Sequence, residues 1–292
     1  MLEDRDYHFG RTVFSRPVVF TYVFLGANIL VYLLMELAGG ATDPFTLLSF
    51  GAKSNIEIGR GEIWRFITPA FIHIGLLHLA VNSYSLWNIG PAVEKFYGGA
   101  RFTILYLVSG AGAVFAGVLT SPRSVSAGAS GALPGLCGVL VVFGLRNKDT
   151  VPQHYRKFLL QNVAASVMIT LFLGFQYGSG SEGGIAIDNA AHIGGLVTGA
   201  LLAAIIPYDN PFEPSRRGAG VYRFFQIGSL VVVVAAFAAV VIHYDGPKFS
   251  VVKAVERLNP FTNSKKTSKS AGPSISIWRI KTASPYLSHE SR

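Results

Sequence analysis

Seven apolar runs, separated by polar stretches, divide the chain. They cover approximately residues 17–38, 75–96, 102–119, 130–145, 158–175, 190–206 and 224–243. A helix that crosses the hydrocarbon core of a bilayer needs about 20 predominantly apolar residues. The pattern therefore predicts an all-α membrane protein. The first run is longer than a signal-peptide core and lacks a clean small-x-small cleavage site, so we interpret it as a retained span.

The polar segments predict the domain organisation. Residues 1–16 are interpreted as a cytosolic N-terminal tail, and residues 17–207 as a six-helix core. Residues 208–223 form a predicted cytoplasmic loop before the seventh helix, and residues 244–292 have the Lys- and Ser-rich composition of a disordered tail. Residues 39–74 mix apolar and charged positions, which favours structure that lies in the membrane interface.

Composition supports the membrane interpretation. Half of the residues are hydrophobic and 14% are charged, whereas an average soluble domain is about a quarter charged. In so apolar a chain, the net charge of +9 indicates basic loops at the membrane rather than a nucleic-acid partner. Lys and Arg are concentrated in the connections on the side of the N-terminus. We therefore expect a multi-pass protein of the bacterial cytoplasmic membrane with its N-terminus in the cytoplasm.

Ionisable and polar side chains inside apolar runs are costly and suggest a functional site. Ser130 lies in a Gly-Ala-Ser-Gly turn where the fourth run begins, His192 lies near the start of the sixth, and His78 and Asn82 lie near the start of the second. These three runs point in the same direction, so the four residues share one depth near the outer face. Cys137 is the only cysteine, so an intramolecular disulfide is excluded, and we expect no metal or cofactor.

A serine next to a histidine base is an arrangement for nucleophilic catalysis. His78 and Asn82, one helical turn apart, could donate hydrogen bonds to an oxyanion together with the backbone N–H of Ser130. Each residue also has a purely structural interpretation. His192 could donate to a backbone carbonyl, and Asn82 could form an interhelical hydrogen bond.

Pairs of glycines suggest how the serine and the histidine could meet. Gly131 and Gly135 share one face of the fourth helix, and Gly195 and Gly199 share one face of the sixth. Small residues at this spacing let membrane helices pack backbone to backbone. This packing alone would also explain the glycines. If it occurs, it brings His192 towards Ser130.

Four other residues have structural predictions. Asp188, four residues before His192, is predicted to cap the sixth helix. Glu94 is predicted to cap a helix or pair within the bundle. The dipeptide Trp64-Arg65 is interpreted as an interfacial anchor of the long connection.

The chain resembles the rhomboid family of intramembrane serine proteases. The matching elements are Trp64-Arg65, the stretch HIGLLHLAVN at residues 73–82, Gly90 with Glu94 and Gly98, the turn at residues 128–131, and AHIGG at residues 191–195 followed by Gly199. Together they extend over about residues 17–207.

The resemblance implies a six-helix bundle plus one C-terminal helix. It also implies a Ser130–His192 dyad without a third acid, and an oxyanion site formed by His78, Asn82 and the backbone of Ser130. The substrates implied are transmembrane segments of other membrane proteins, cut near the outer face. A mobile fifth loop and span would admit them from the bilayer. No oligomeric state is indicated.

The chain departs from the family at Pro134. Members commonly have an aromatic residue at this position, four residues after the serine and close to the catalytic histidine. This departure favours one alternative, a catalytically weak or silent relative that binds membrane clients. A small-solute transporter is a second alternative, but the chain lacks the internal repeat that many transporters show.

Overall fold

In the computed structural model, the described residues are 10–148, 151–178, 188–209, 219–247 and 249–250; side chains are not described at 158 and 169–178. Regular secondary structure in these ranges is helical, apart from an isolated β-bridge between Lys53 and Ser126. Four of the described helices are long and apolar enough to cross a membrane. The prediction of an all-α membrane protein is therefore confirmed for the described part of the chain.

The helices follow the predicted apolar runs. In chain order they are α1 Phe20–Ala38, α2 Pro44–Ser49, α3 Asn55–Gly59, α4 Gly75–Thr120, α5 Ala132–Arg146, α6 Gln153–Gly178, α7 Asn189–Ile205 and α8 Ala219–Ile242. The second and third runs were predicted as two helices separated by residues 97–101. The structure has two helical arms here, but only Gly98 separates them, and we number the two arms together as α4.

Helix α4 reverses its direction at Gly98. Leu77 and Gly110 line one cavity, yet in a straight α-helix these residues would lie about 50 Å apart. Gly98 has φ 75° and ψ 157°, a conformation that is open to glycine and unfavourable for other residues. The two arms of α4, residues 75–97 and 99–120, therefore form a hairpin whose turn is a single residue.

Charged residues surround this turn, at the end of the bundle opposite the cavity. The guanidinium of Arg16 donates to the backbone oxygens of Lys95 (3.0 Å) and Asp209 (2.8 Å). The carboxylate of Asp209 pairs with Arg16 at 3.3 Å and with Arg101 at 3.7 Å. These contacts tie the segment before α1 and the segment after α7 to the turn at Gly98.

Glu94 caps the beginning of α1, as the sequence predicted. Its carboxylate accepts hydrogen bonds from the backbone N–H groups of Val19, Phe20 and Thr21 and from the hydroxyl of Thr21, at 2.7–2.9 Å. The first N–H groups of a helix have no intrahelical acceptor and carry partial positive charge. Glu94 is only 2% exposed, but its carboxylate accepts four hydrogen bonds from the start of α1 in place of water.

The long connection between α1 and α4 consists of short helical pieces. It contains α2, α3 and two 3₁₀ turns, Ile63–Phe66 and Thr68–Phe71. Arg65 holds these pieces together, because its guanidinium donates to the carbonyls of Leu48 (2.9 Å) and Ala52 (2.6 Å) and pairs with Glu62. The ring of the neighbouring Trp64 packs against that of His243 just after α8, with centroids 4.8 Å apart and the rings tilted by 33°.

Some predictions fall outside the described residues. They concern residues 1–9 of the N-terminal tail, residues 179–187 in the fifth loop, much of the loop at residues 208–223 and the tail beyond residue 250.

Replacing Glu94→Gln should destabilise the protein. The amide retains one acceptor oxygen but places an NH₂ group against backbone donors and removes the charge. Hydrogen bonds to charged groups each contribute about 1.5–3 kcal/mol, so we expect a loss of about 2 kcal/mol, measured as a lower midpoint of thermal unfolding in detergent. Glu57→Gln is the control, because Glu57 only pairs with the exposed Arg60, and surface pairs contribute about 0–1 kcal/mol. Equal midpoints for the two variants would contradict the capping role.

Candidate active site

A cavity of about 380 Å³ lies where α4, α5 and α7 begin. Its wall includes His78 from the first arm of α4, Ser130 from the turn before α5, and Asp188 and His192 from the start of α7. Apolar residues of the second arm of α4 and of the connection before α4 complete the wall. The structure thus brings Ser130, His192 and His78, three of the four polar residues singled out in the sequence, to one cavity inside the bundle.

Ser130 belongs to a 3₁₀ turn, Ala129–Gly131, that precedes α5. Gly128, just before this turn, has φ 131°, and its N–H donates to the carbonyl of Pro69 at 2.8 Å. Two residues earlier, Ser126 exchanges two backbone hydrogen bonds with Lys53 (2.9 and 3.2 Å). The serine turn is therefore held by the connection between α1 and α4 as well as by α5.

Lys53 is a buried residue that the sequence analysis missed. Its ammonium donates to the carbonyls of Ser121 (2.6 Å) and Ser124 (3.1 Å), on the loop that leads to the serine turn. Burial lowers the pKa of Lys53, and the nearby carboxylate of Asp188 opposes this shift. A lone lysine in a mixed polar stretch has no periodic signal, so only the long-range contact reveals its role.

His192 occupies the first turn of α7 and is 4% exposed. Asp188 caps this helix, as predicted, by accepting from the N–H of Ala191 at 3.1 Å, and it also accepts from the hydroxyl of Ser121 at 3.2 Å. Within the described residues, Nδ1 of His192 and Oδ2 of Asp188 have no hydrogen-bond partner.

Helices α5 and α7 pack with their backbones in contact. A Cβ added to Gly195 would collide with the carbonyl oxygen of Gly131, and a Cβ on Gly199 would collide with the carbonyl oxygen of Gly135. One turn further along α5, Gly138 lies equally close to the backbone of α7. This approach places His192, one turn before Gly195, beside the serine turn. No hydrogen bond joins Ser130 to His192 in this structure, and such bonds often tighten only when substrate is bound.

His78 presents a hydrogen-bond donor to the serine turn. Its Nδ1 accepts from the N–H of Ile74 at 3.2 Å, so a neutral ring carries its proton on Nε2. A Cβ built on Gly128 would lie 2.9 Å from this Nε2 and 3.2 Å from Oγ of Ser130. The imidazole of His78 and the hydroxyl of Ser130 therefore both border the space beside Gly128, and a side chain at Gly128 would collide with the imidazole.

Asn82 is oriented differently from His78. Its amide nitrogen donates to the carbonyl of His78 one turn earlier at 2.9 Å, and the residue is buried rather than on the cavity wall. His73, before α4, is also buried, and its ring lies 5.4 Å from that of His78. Pro134 is buried in the first turn of α5, where a proline costs no intrahelical hydrogen bond.

The fold and the cavity define a multi-pass membrane protein with serine and histidine side chains enclosed among its helices. Comparison with known sequences assigns the class: the Rhomboid domain family matches residues 60–209. This match covers half of the chain, and the chain belongs to the rhomboid family, as its motifs indicated.

Curated relatives include several bacterial proteins. The chain is 40% identical over 187 residues to the rhomboid protease GluP of Bacillus subtilis (strain 168), an alignment that covers 64% of this chain and 34% of GluP. It is 29% identical over 209 residues to the rhomboid protease AarA of Providencia stuartii, covering 64% of this chain and 72% of AarA. It is 34% identical over 150 residues to the YdcA protein of Bacillus subtilis (strain 168), covering 51% and 70%. The aligned region thus spans about a third of GluP.

Replacing Gly199→Ala should force α5 and α7 apart, because the new methyl group has no space beside Gly135. Overpacking of this kind costs about 1–3 kcal/mol, measured as a lower midpoint of thermal unfolding. Gly228→Ala in α8 is the matched control, since a Cβ there meets nothing within 4 Å; it should be neutral or slightly stabilising. Gly199→Ala with a midpoint at or above that of Gly228→Ala would argue against the close approach.

Proposed function

We propose that this protein is an intramembrane serine endopeptidase that cuts transmembrane segments of other membrane proteins near the outer face. The observation that carries the proposal is the shared cavity of Ser130, His192 and His78. Membership of the rhomboid family, with the proteases GluP and AarA among its relatives, supports it. The reaction is a two-step transfer of the acyl group, first to the serine and then to water.

In the first step Oγ of Ser130 attacks the carbonyl carbon of the scissile peptide bond, and His192 takes the hydroxyl proton. The carbonyl oxygen gains negative charge, which Nε2–H of His78 and the backbone N–H of Ser130 stabilise. The C–N bond then breaks while His192 protonates the leaving amine. Water attacks the resulting ester with His192 again as base, which releases the acid and restores the serine.

The proposed topology is a six-helix core with a seventh helix, α8, and with the N-terminus in the cytoplasm. The two arms of α4, with α1, α5, α6 and α7, form the core, and the cavity opens near the outer face. A bound transmembrane helix must unwind locally to expose a peptide bond, because its backbone groups are hydrogen-bonded within the helix. We therefore expect substrates with helix-weakening residues near the outer end of their span.

A rhomboid relative that binds membrane clients without cutting them is the second candidate. Pro134 is the observation that favours it, because the aromatic ring that family members commonly place near the histidine is missing here. A serine-reactive phosphonate probe separates the two candidates. The protease should be labelled, and Ser130→Ala should abolish labelling while Ser15→Ala, a change on an exposed residue far from the cavity, should not.

Ser130→Ala and His192→Ala should each reduce cleavage to background, because nucleophile and base act as one unit. The assay uses the purified protein in liposomes with a fluorescent transmembrane peptide, and thermal unfolding verifies that both variants fold. If the wild-type protein cuts none of several such peptides and its serine takes no probe, the protease proposal fails. The client-binding candidate then replaces it.

His78→Ala should lower kcat about 10²–10³-fold with a small change in KM, because its donor acts on charge that develops only in the transition state. Asn82→Ala should have a smaller effect, since one amide hydrogen of Asn82 is already bonded to the carbonyl of His78. Steady-state kinetics on the same peptide test both. A rise in KM with unchanged kcat would instead assign His78 to substrate binding.

A further inference from the structure

A second cavity lies at the opposite end of the bundle from Ser130. It measures about 580 Å³ and runs between the last turn of α5 and the first turns of α6. We call it the inner groove and define it by its cations Lys148, Arg156 and Lys157 and its apolar residues Gly144, Leu145 and Leu160. In the topology proposed above, the inner groove faces the cytoplasm.

The charge of the inner groove has a single sign. Three cations line it, and none of the described residues that line it is a carboxylate. Arg156 and Lys157 belong to α6, whereas Lys148 follows α5, so the groove has cations on two sides and is suited to an anion. The side-chain amides of Gln153 and Gln161 also line the inner groove and add neutral hydrogen-bond donors.

The other wall of the inner groove is apolar and open to the side of the bundle. Leu145 is 66% exposed and Leu160 is 38% exposed. A Cβ built on Gly144 would meet only the side chain of Leu160, at 3.8 Å, so the glycine leaves space between the two helices. A free inorganic anion would use the cations but not this wall. A phospholipid would use both, with its phosphate at the cations and an acyl chain along the leucines.

We propose that the inner groove binds the phosphate headgroup of an anionic phospholipid. Basic pockets between membrane helices on the cytoplasmic side recognise such headgroups through Lys and Arg. Bound there, the lipid would contact both α5, which continues from Ser130, and α6. The proposal concerns binding and does not depend on the protease activity.

The test uses the full chain, purified and delipidated in neutral detergent, with short-chain phosphatidylglycerol, short-chain phosphatidylcholine and inorganic phosphate as probes. Bound lipid is counted by native mass spectrometry. We expect phosphatidylglycerol to bind more tightly than phosphatidylcholine, and inorganic phosphate not to displace it. Equal binding of the two lipids would overturn the proposal. Displacement by phosphate would replace the lipid with a free anion and would also overturn it.

Variants separate a defined site from diffuse attraction to charge. Arg156→Gln should weaken phosphatidylglycerol binding about fivefold, the effect of one cation near a membrane surface. Gly144→Leu should weaken it comparably by filling the groove without changing any charge. Arg223→Gln removes an exposed cation at the start of α8, outside the groove, and should bind like the wild type.

Two comparisons complete the design. An equal loss in Arg156→Gln and Arg223→Gln would show general electrostatics and overturn the proposal. If Gly144→Leu does not fold, as judged by its unfolding midpoint, the comparison of the two arginine variants decides. Ser130→Ala should lose peptide cleavage but retain lipid binding. The two proposals therefore fail in different assays: the protease proposal in the cleavage assay and the lipid proposal in the binding assay.

Discussion

The contact between the backbones of α5 and α7 is the constraint on which the cavity depends. Between membrane helices there is little hydrophobic driving force, so association relies on close packing and hydrogen bonds. Here glycines allow Gly195 to lie on the carbonyl of Gly131, and Gly199 on that of Gly135. Because Ser130 and His192 lie within one turn of these contacts, the separation of the helix axes also sets the separation of the two side chains.

The connection between α1 and α4 is a second determinant of the site. It consists of short helices pinned by buried cations, and each cation is satisfied by backbone carbonyls: Arg65 within the connection and Lys53 across to the loop before Ser130. Such charges are tolerated at low exposure only when their donors are paired. Gly128 adds a direct bond to this connection at Pro69. The serine turn is thus held from both sides, which suits a site that must keep its geometry beside lipid.

Features encoded locally were predictable from the sequence. Apolar runs gave most helix positions to within a few residues, and the caps at Asp188 and Glu94 followed from their places at helix ends. Features that depend on distant contacts were not predictable. The acceptors of Lys53 lie about 70 positions away along the chain, and Asn82 turns to its own helix rather than to the cavity. Helix periodicity alone placed Asn82 on the same face as His78 but could not fix its rotamer.

The hairpin at Gly98 has a consequence for how the protein is made. A loop of ordinary length would let two membrane spans enter the bilayer one after the other and find each other later. Because only Gly98 separates residues 75–97 from residues 99–120, the two arms cannot slide along each other. Their register is therefore set when the turn forms. The pair would therefore enter the bilayer as one hairpin, with His78 on one arm and Ala113 on the other both lining the same cavity. Helix α5 and Ser130 are synthesised after both arms of this hairpin.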